Sequence, residues 1–362
     1  MMRLAILLML AVSALTAQAP ARADLMKLAD QLEAAILAGD WPNAAQLSRS
    51  LKESVRDARN QQMAAAGIEL TDSILTWLPS DTETLVVAQQ PFTIMAEDRT
   101  AFHPALELAQ SYVLGLLWAA EKDNVLKGLT GRTVRLAALA ARRFGEDERE
   151  PPPDAQTGAL GMIPYQGCAV YAFSEPVKES LIGRPPEDSI MGYRVWISKG
   201  SQNDRQDRDT YLVSLVKPDL MMVCNHREFF SEMVSRIGSS PERRALPPNL
   251  PEWRQVDRTA PLWAICHYRD SAFLGFLTPA AKDPGATGLT IEFGLASGAI
   301  RARVISKADF WKDIVGHRDF AGAASSRASG PGVWELSVQG QPEAAPFAVF
   351  ALMAMLGFVV LI

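Results

Sequence analysis

The sequence predicts an α+β protein in which an N-terminal helical hairpin precedes a mainly antiparallel sheet covered by helices. Residues 25–58 repeat apolar side chains at the spacing of two amphipathic helices, with Gly39 between them. Beyond residue 165, apolar runs alternate with turns that are too short for the crossovers that parallel strands require. Hydrophobic residues make up 48% of the chain and charged residues 21%, which favours a globular protein over a disordered one.

The charge of the chain excludes one class of partner. The formal net charge is −5, and acidic residues are interleaved in every lysine or arginine cluster. A nucleic-acid surface needs a basic stripe that neutralises phosphates, so no nucleic-acid partner is expected.

Residues 1–23 have the layout of a secretory signal peptide. Arg3 gives a short basic start, Leu4–Leu15 is apolar, and two small-x-small cleavage signals end at Ala19 and Ala23. The apolar run of 12 residues is too short to span a bilayer. We therefore expect a periplasmic or secreted bacterial protein.

Pro346–Ile362 is a second apolar segment, with 17 residues and no charge. As a helix it would be about 26 Å long, which barely reaches the length that spans a bilayer. Two interpretations stay open. The preferred one is a buried element of the core beside the strand-like Trp334–Val338, and the other is a membrane anchor that would give the protein a membrane association.

The N-terminal hairpin carries its own turn signals. Gly39 ends the first helix, and Asp40 can cap the second. The two helices around Gly39-Asp40-Trp41 resemble one tetratricopeptide-type pair, but a solenoid of such repeats needs at least about three. A hairpin lying on the main domain is therefore the preferred interpretation, and a protein-binding repeat is the alternative.

The main domain opens with Thr84–Ala88, whose continuous apolar character predicts a strand covered on both faces. A central helix is expected over 102–127, and proline-rich Glu146–Asp154 is an extended connection. Thr133–Ala141 fits a strand or a helix. The expected domains are the signal peptide over 1–23, the hairpin over 24–77, an α+β domain over 78–345 and the apolar C-terminal segment over 346–362.

A helix is predicted over 226–237. Asn225 is placed to cap it, Glu228 stands at the reciprocal capping-box position, and Gly238 follows its end. The strands predicted in this domain after Glu146–Asp154 are Gly167–Phe173, Tyr193–Ser198, Tyr211–Val216, Leu220–Cys224, Leu262–Cys266, Thr290–Leu295 and Ala299–Ile305.

The last two of these strands form a hairpin around Ser297-Gly298. Alternation along it places Glu292, Arg301 and Arg303 together, away from the apolar side chains. We expect these three charges to pair on a solvent face, where each pair is worth only about 0–1 kcal/mol.

A short turn motif stands before the first strand of the main domain. Leu78-Pro79-Ser80-Asp81-Thr82 precedes Thr84, and a polar turn at Asp257 likewise precedes Leu262–Cys266, so the two segments suggest a duplicated half. The pentapeptide resembles the Leu-Pro-x-Asp-Thr turn that opens domains in families of exported bacterial proteins of unknown function. The resemblance implies an exported protein of this fold class and brings no catalytic residues.

Three cysteines, Cys168, Cys224 and Cys266, allow at most one internal disulfide. Cys224 and Cys266 lie in apolar, strand-like runs, so buried free thiols acting as small hydrophobes are the preferred interpretation. A bridge between Cys224 and Cys266 is the alternative, on the condition that their strands are neighbours.

Cys224, His226, Cys266 and His267 are the weak candidates for a metal site, because thiolate and imidazole are zinc ligands. The geometry argues against the site, since Cys266 and His267 point to opposite faces of a strand and His226 opens a helix. No metal and no cofactor is expected.

The sequence offers little catalytic chemistry. No nucleophile elbow and no nucleotide-binding glycine motif is present, and Cys168 as an activated thiol would need a base from the four histidines. We interpret the chain as a non-enzymatic envelope or secreted protein that binds an unidentified protein or small molecule. A periplasmic hydrolase using Cys168 or a histidine-based site is the alternative, and a groove where a histidine meets a carboxylate would favour it.

Overall fold

The structure is a computed structural model that describes residues 19–89, 92–93, 129, 131–143, 165–182, 184–199, 210–267, 286–294, 299–306 and 324–338. The chain divides into two compact units, residues 1–69 and 70–362.

The first unit contains the helical hairpin. Helix α1 spans Ala19–Leu37, and helix α2 spans Trp41–Trp77, so α2 continues past residue 58, where the predicted apolar stripe of the second helix ends. Gly39 joins the helices with φ of 74°, which only glycine adopts readily, and the Asp40 side chain accepts a hydrogen bond from the Asn43 N–H at 3.3 Å, as predicted for a cap. The buried residues between the helices are Leu25, Leu32, Ala35, Ala44 and Leu51.

The second unit is built on a sheet in which every described pairing is antiparallel. The fold class is therefore α+β with an antiparallel sheet, as the sequence predicts. Its strands are β1 Thr84–Ala88, β2 Phe92–Thr93, β3 Thr133–Arg143, β4 Tyr165–Phe173, β5 Asp188–Ile190, β6 Tyr193–Lys199, β7 Thr210–Lys217, β8 Leu220–Cys224, β9 Leu262–His267, β10 Ala286–Gly294, β11 Ala299–Ser306, β12 Ala324–Gly330 and β13 Val333–Val338.

The strand order is β12-β13-β11-β10-β9-β1-β3-β4-β8-β7-β6-β5, and β2 pairs with β3 outside this path. Strands β1 and β9, which open the two segments of like layout, are neighbours with Thr84 opposite Cys266. Each follows a hydrogen-bonded turn, Pro79–Thr82 before β1 and Asp257–Ala260 before β9. The duplication itself stays a prediction.

The core lies between one face of the sheet and helix α3, which spans Arg227–Arg236. Phe229, Phe230 and Met233 are the fully buried anchors of this helix. All five residues of β1 are buried, which confirms the prediction from its unbroken apolar run. Because a strand's side chains alternate, this burial covers both faces of β1.

Asn225 does not cap α3, so the predicted capping box is wrong. The cap position is His226, without a side-chain hydrogen bond. The Asn225 Oδ1 atom instead accepts the Gly167 N–H at 2.7 Å. Strand β8 lies beside β4, and this tertiary contact competes with the local cap.

The charges of the β10–β11 hairpin pair as predicted, but not on a solvent face. Arg303 lies 2.6 Å from Glu292, and Arg301 lies 3.6 Å from it. Glu292 is buried, because the segment before β9 passes over it and the Asp257 N–H donates to its carboxylate at 2.6 Å. The ambiguous segment Thr133–Ala141 is strand β3.

Several predictions fall on residues that the structure does not describe: most of the signal peptide, the helix over 102–127, the connection Glu146–Asp154 and the segment Pro346–Ile362. Within the described ranges, no helix is long and apolar enough to cross a membrane. Removal of residues 1–23 would leave Leu25, a buried residue of the hairpin, in place.

Candidate functional site

A groove of about 440 Å³ lies at one end of the central strands β1 and β9, where β1 begins and β9 ends. Because these neighbours are antiparallel, the turn before β1 meets the last residue of β9 here. The loop between α3 and β9 forms the other wall. The groove is lined by Ser80, Thr82, Glu242, Arg243, Arg244, Leu246, Pro247, Leu250 and His267.

His267 is held by a buried carboxylate. Its Nδ1 atom lies 3.0 Å from Oε1 of Glu252, whose side chain has no exposed surface. Glu252 lies in a short 3₁₀ turn, Pro251–Arg254, that packs over β9 and β10. Since a carboxylate accepts the hydrogen bond from Nδ1–H, the Nε2 atom is the nitrogen left to face a ligand.

Arg244 is fixed on two sides in the wall of the groove. Its guanidinium lies 5.5 Å from the centre of the Trp253 ring and 3.4 Å from Asp72 Oδ1. Burial, and to a smaller extent the charge of Arg258, hold the pKa of Arg244 below its ordinary value although Asp72 acts in the opposite direction. Arg244 therefore carries its charge in a crowded, partly desolvated position.

The groove wall contains a residue with a rarely populated backbone conformation. Leu246 is buried and has φ of 45°, a left-handed conformation that costs a non-glycine residue on the order of 1–3 kcal/mol. Its carbonyl accepts the Trp253 Nε1–H at 2.8 Å, and the neighbouring Ala245 N–H donates to Leu75 O at 3.2 Å. Such strain persists where the surroundings enforce it, and it is concentrated at binding and active sites.

The turn before β1 supplies the hydroxyl groups of the groove. The Thr82 side chain donates to Pro79 O at 2.7 Å, which uses its only hydroxyl hydrogen. Asp81 in the same turn is bound by Arg142, which also reaches Glu232 on α3. This ion-pair network holds the turn, and with it the floor of the groove, against the sheet and the helix.

Two of the predicted metal candidates lie too far from the other two to share an ion. Three strands separate β8, which ends at Cys224, from β9, which carries Cys266 and His267; at sheet spacing this is roughly 19 Å. His226 stands directly after β8. In the part of the chain with described coordinates, no three histidine, cysteine or acidic side chains are grouped to hold a metal.

The cysteine pairing also differs from both predictions. Cys168 is bonded to Cys224, which stands directly opposite it on the neighbouring strand β8. Only Cys266 is a buried free thiol, 3.1 Å from the Thr84 hydroxyl. A Cys224–Cys266 bridge is wrong because their strands are not neighbours, and Cys168 in a disulfide has no thiolate to act as a nucleophile.

Sequence reasoning found one member of the groove, His267, and missed the residues that position it. Glu252 lies in a proline-rich loop without periodicity, so nothing local marks it as buried. The one sequence feature that could have indicated an ordered turn here is Pro251-Glu252-Trp253, in which a proline at a helix start precedes an aromatic residue. His103 and His317, the remaining candidate bases, fall among the residues that are not described.

Comparison with known proteins identifies no family. No protein-family model matches the chain, and no curated protein matches it. Two crystal forms of a protein named TP0453 align with 76% and 77% of this chain and 96% and 97% of their own, at 13% and 12% sequence identity and TM-scores of 0.41. A likeness this weak carries no argument about fold or function.

Proposed function

We propose that this protein is exported to the cell envelope or secreted, and that it binds a small molecule in the groove. The observation that carries the proposal is the pairing of His267 with the wholly buried Glu252 at the groove. A buried carboxylate that orients a half-buried imidazole is costly to maintain, and it gives the imidazole one fixed direction for a ligand.

The rigidity of the lining supports binding. Trp253 contacts the Arg244 guanidinium and donates a hydrogen bond to Leu246, so one side chain fixes two residues of the wall. A preformed site spends less free energy on ordering its side chains when the ligand arrives. The strained Leu246 backbone is a further sign that the wall is shaped for a task other than folding.

Two independent features support export. The first is the signal-peptide layout of residues 1–23. The second is the Cys168–Cys224 disulfide, because such bonds persist in oxidising compartments such as the periplasm and are rare in the cytosol.

Binding is tested by thermal shift of the full mature chain against a panel of anionic, neutral and cationic small molecules. Ser80→Trp fills the groove, and Ser189→Trp, an exposed serine on β5 at the far end of the sheet, is the matched control. A compound that raises Tm in wild type and in Ser189→Trp, but not in Ser80→Trp, supports the proposal. A panel with no such compound contradicts it.

Export is tested separately by intact-mass measurement of protein from the periplasmic fraction. We expect a mature chain that begins at Pro20 or Asp24, after one of the two cleavage signals. Recovery of the chain with Met1 only, from the cytoplasm, would contradict the export part alone.

A hydrolase is the second candidate, because a histidine does meet a carboxylate in this groove. His267 would then take a proton through Nε2 from the water molecule that attacks the ester carbonyl, and return it to the leaving alcohol oxygen, while Glu252 stabilises the imidazolium. Hydrolysis of p-nitrophenyl esters that is lost in His267→Gln and kept in Ser189→Trp would favour this candidate. Unchanged ester hydrolysis in His267→Gln would reject it.

A further inference from the structure

The charged side chains that line the groove are mainly cationic. Arg243 and Arg244 contribute two guanidinium groups, and the opposing charge in the described lining is the single carboxylate of Glu242. His267 adds no net positive charge, because the Glu252 carboxylate lies 3.0 Å from its Nδ1 atom and would offset a charge on the imidazole. The local charge of the groove therefore opposes the charge of the whole chain, which is −5.

The carboxylate that pairs with Arg244 also pairs with a second arginine. The Asp72 Oδ1 atom lies 3.4 Å from Arg244 and 3.0 Å from Arg258. Asp72 is therefore shared between two guanidinium groups. In addition, the Arg244 Nε atom is buried and has no hydrogen-bond partner among the described residues.

We propose that the molecule bound in the groove carries a carboxylate or phosphate group, which is held by Arg243 and Arg244 with His267 beside it; this rests on the groove being the binding site proposed above. Guanidinium groups present paired N–H donors that match the oxygen spacing of both anions. Arg244 is held in the wall by Trp253 and Asp72, and Arg243 is an exposed residue of the same loop.

The hydrogen-bond donors that line the groove favour an anion over a neutral ligand. Thr82 has already donated its hydroxyl hydrogen to Pro79 O, so it offers only lone pairs. The charged donors that the lining offers to ligand oxygens are the guanidinium groups of Arg243 and Arg244. A neutral polyol would leave Arg244 with the shared carboxylate of Asp72 as its counterion and add no charge in the groove.

Isothermal titration of the full mature chain tests the ligand class with four probes: inorganic phosphate, succinate, the neutral polyol erythritol and the cation choline. We expect phosphate or succinate to bind, with affinity that falls as salt rises. Arg243→Gln should weaken that binding by about tenfold or more, the usual cost of one charge-assisted hydrogen bond. Arg243 is exposed, so this variant is expected to fold.

Arg194→Gln is the matched control, since Arg194 is an exposed arginine on β6 outside the groove. Phosphate binding and succinate binding identify which anion is recognised. Three results overturn the inference: erythritol or choline bound in preference to both anions, anion binding that Arg243→Gln leaves unchanged, or no binding of any probe. A preference for erythritol that Ser80→Trp abolishes would leave the proposed binding function standing and remove only its anionic ligand class.

Discussion

Replacing Arg142 with methionine tests whether a buried guanidinium ties the sheet to α3 and to the turn before β1. The Arg142 side chain is 10% exposed. Its Nε–H donates to Gln166 Oε1 at 2.7 Å, and its terminal nitrogens lie 3.1 Å from Asp81 and 2.8 Å from Glu232. These partners belong to β4, the turn and α3, so one residue links three elements.

The magnitude follows from the exposure of each partner. The bond to buried Gln166 is charge-assisted and worth about 1.5–3 kcal/mol. Asp81 and Glu232 are 48% and 46% exposed, so each ion pair adds about 0–1 kcal/mol. Methionine keeps most of the aliphatic packing near Phe229, and we expect Arg142→Met to lower the free energy of unfolding by about 2–4 kcal/mol.

The guanidinium is charged despite its burial. Burial by itself lowers the pKa of Arg142, but hydrogen bonds and charge from Glu232 and Asp81 outweigh it and raise the pKa above the ordinary value. The loss in Arg142→Met is therefore the loss of a cation with its partners, and not of a neutral side chain.

Urea denaturation followed by circular dichroism measures the effect. Arg194→Met is the control, because Arg194 pairs with Glu179 at 2.6 Å with both side chains largely exposed, so its loss should cost less than about 1 kcal/mol. A free energy of unfolding for Arg142→Met within about 0.5 kcal/mol of the wild-type value, the usual range for surface substitutions, would refute the reasoning. Equal costs for the two variants would refute it as well.

Four further outcomes are expected. Reducing the Cys168–Cys224 bond, whose partners are 56 residues apart, should lower the free energy of unfolding in urea by about 3–4 kcal/mol. Met191→Asn should raise it by about 0.5–1 kcal/mol, because φ is 52° in the β5–β6 turn and asparagine tolerates that conformation. Burial raises the pKa of Glu335, but hydrogen bonds from two arginines outweigh burial and lower it. The stability that the ionised Glu335 contributes is therefore present above pH 4.5 and lost as pH falls through the folded pKa. Glu335→Gln should for this reason reduce the loss of Tm in acid. Asn225→Ala should cost about 0.5–1.5 kcal/mol in urea and leave the helical circular-dichroism signal unchanged.

Each of these outcomes has a result that would contradict it. For the disulfide, it is a peptide map without a linked pair, or an identical urea midpoint with and without reductant. For Met191→Asn, it is a lower Tm, and for Glu335→Gln, an acid transition identical to that of wild type. For Asn225→Ala, it is a loss of helical signal in the folded protein, which would mean that the side chain does cap α3.

The sequence by itself determined the local elements. Strand β1 is Thr84–Ala88 to the residue, and Gly39 and Asp40 perform the predicted turn and cap between the helices. Helix α3 begins and ends within a residue of its prediction. These features depend on periodicity and turn chemistry over a few residues. Such local patterns act independently of which segments become neighbours in space.

The tertiary structure alone decided which elements meet, and the candidate site depends on that. Cys168 pairs with Cys224, and Asn225 turns to β4, because β8 returns beside β4 and not beside β9. The groove joins His267 to a carboxylate from a loop without periodicity, and Asp72 reaches Arg258 across 186 positions of sequence. Each strand could pair with several others, and the pairing is selected by the burial and hydrogen bonding of the whole sheet. No local sequence pattern therefore encodes the strand order.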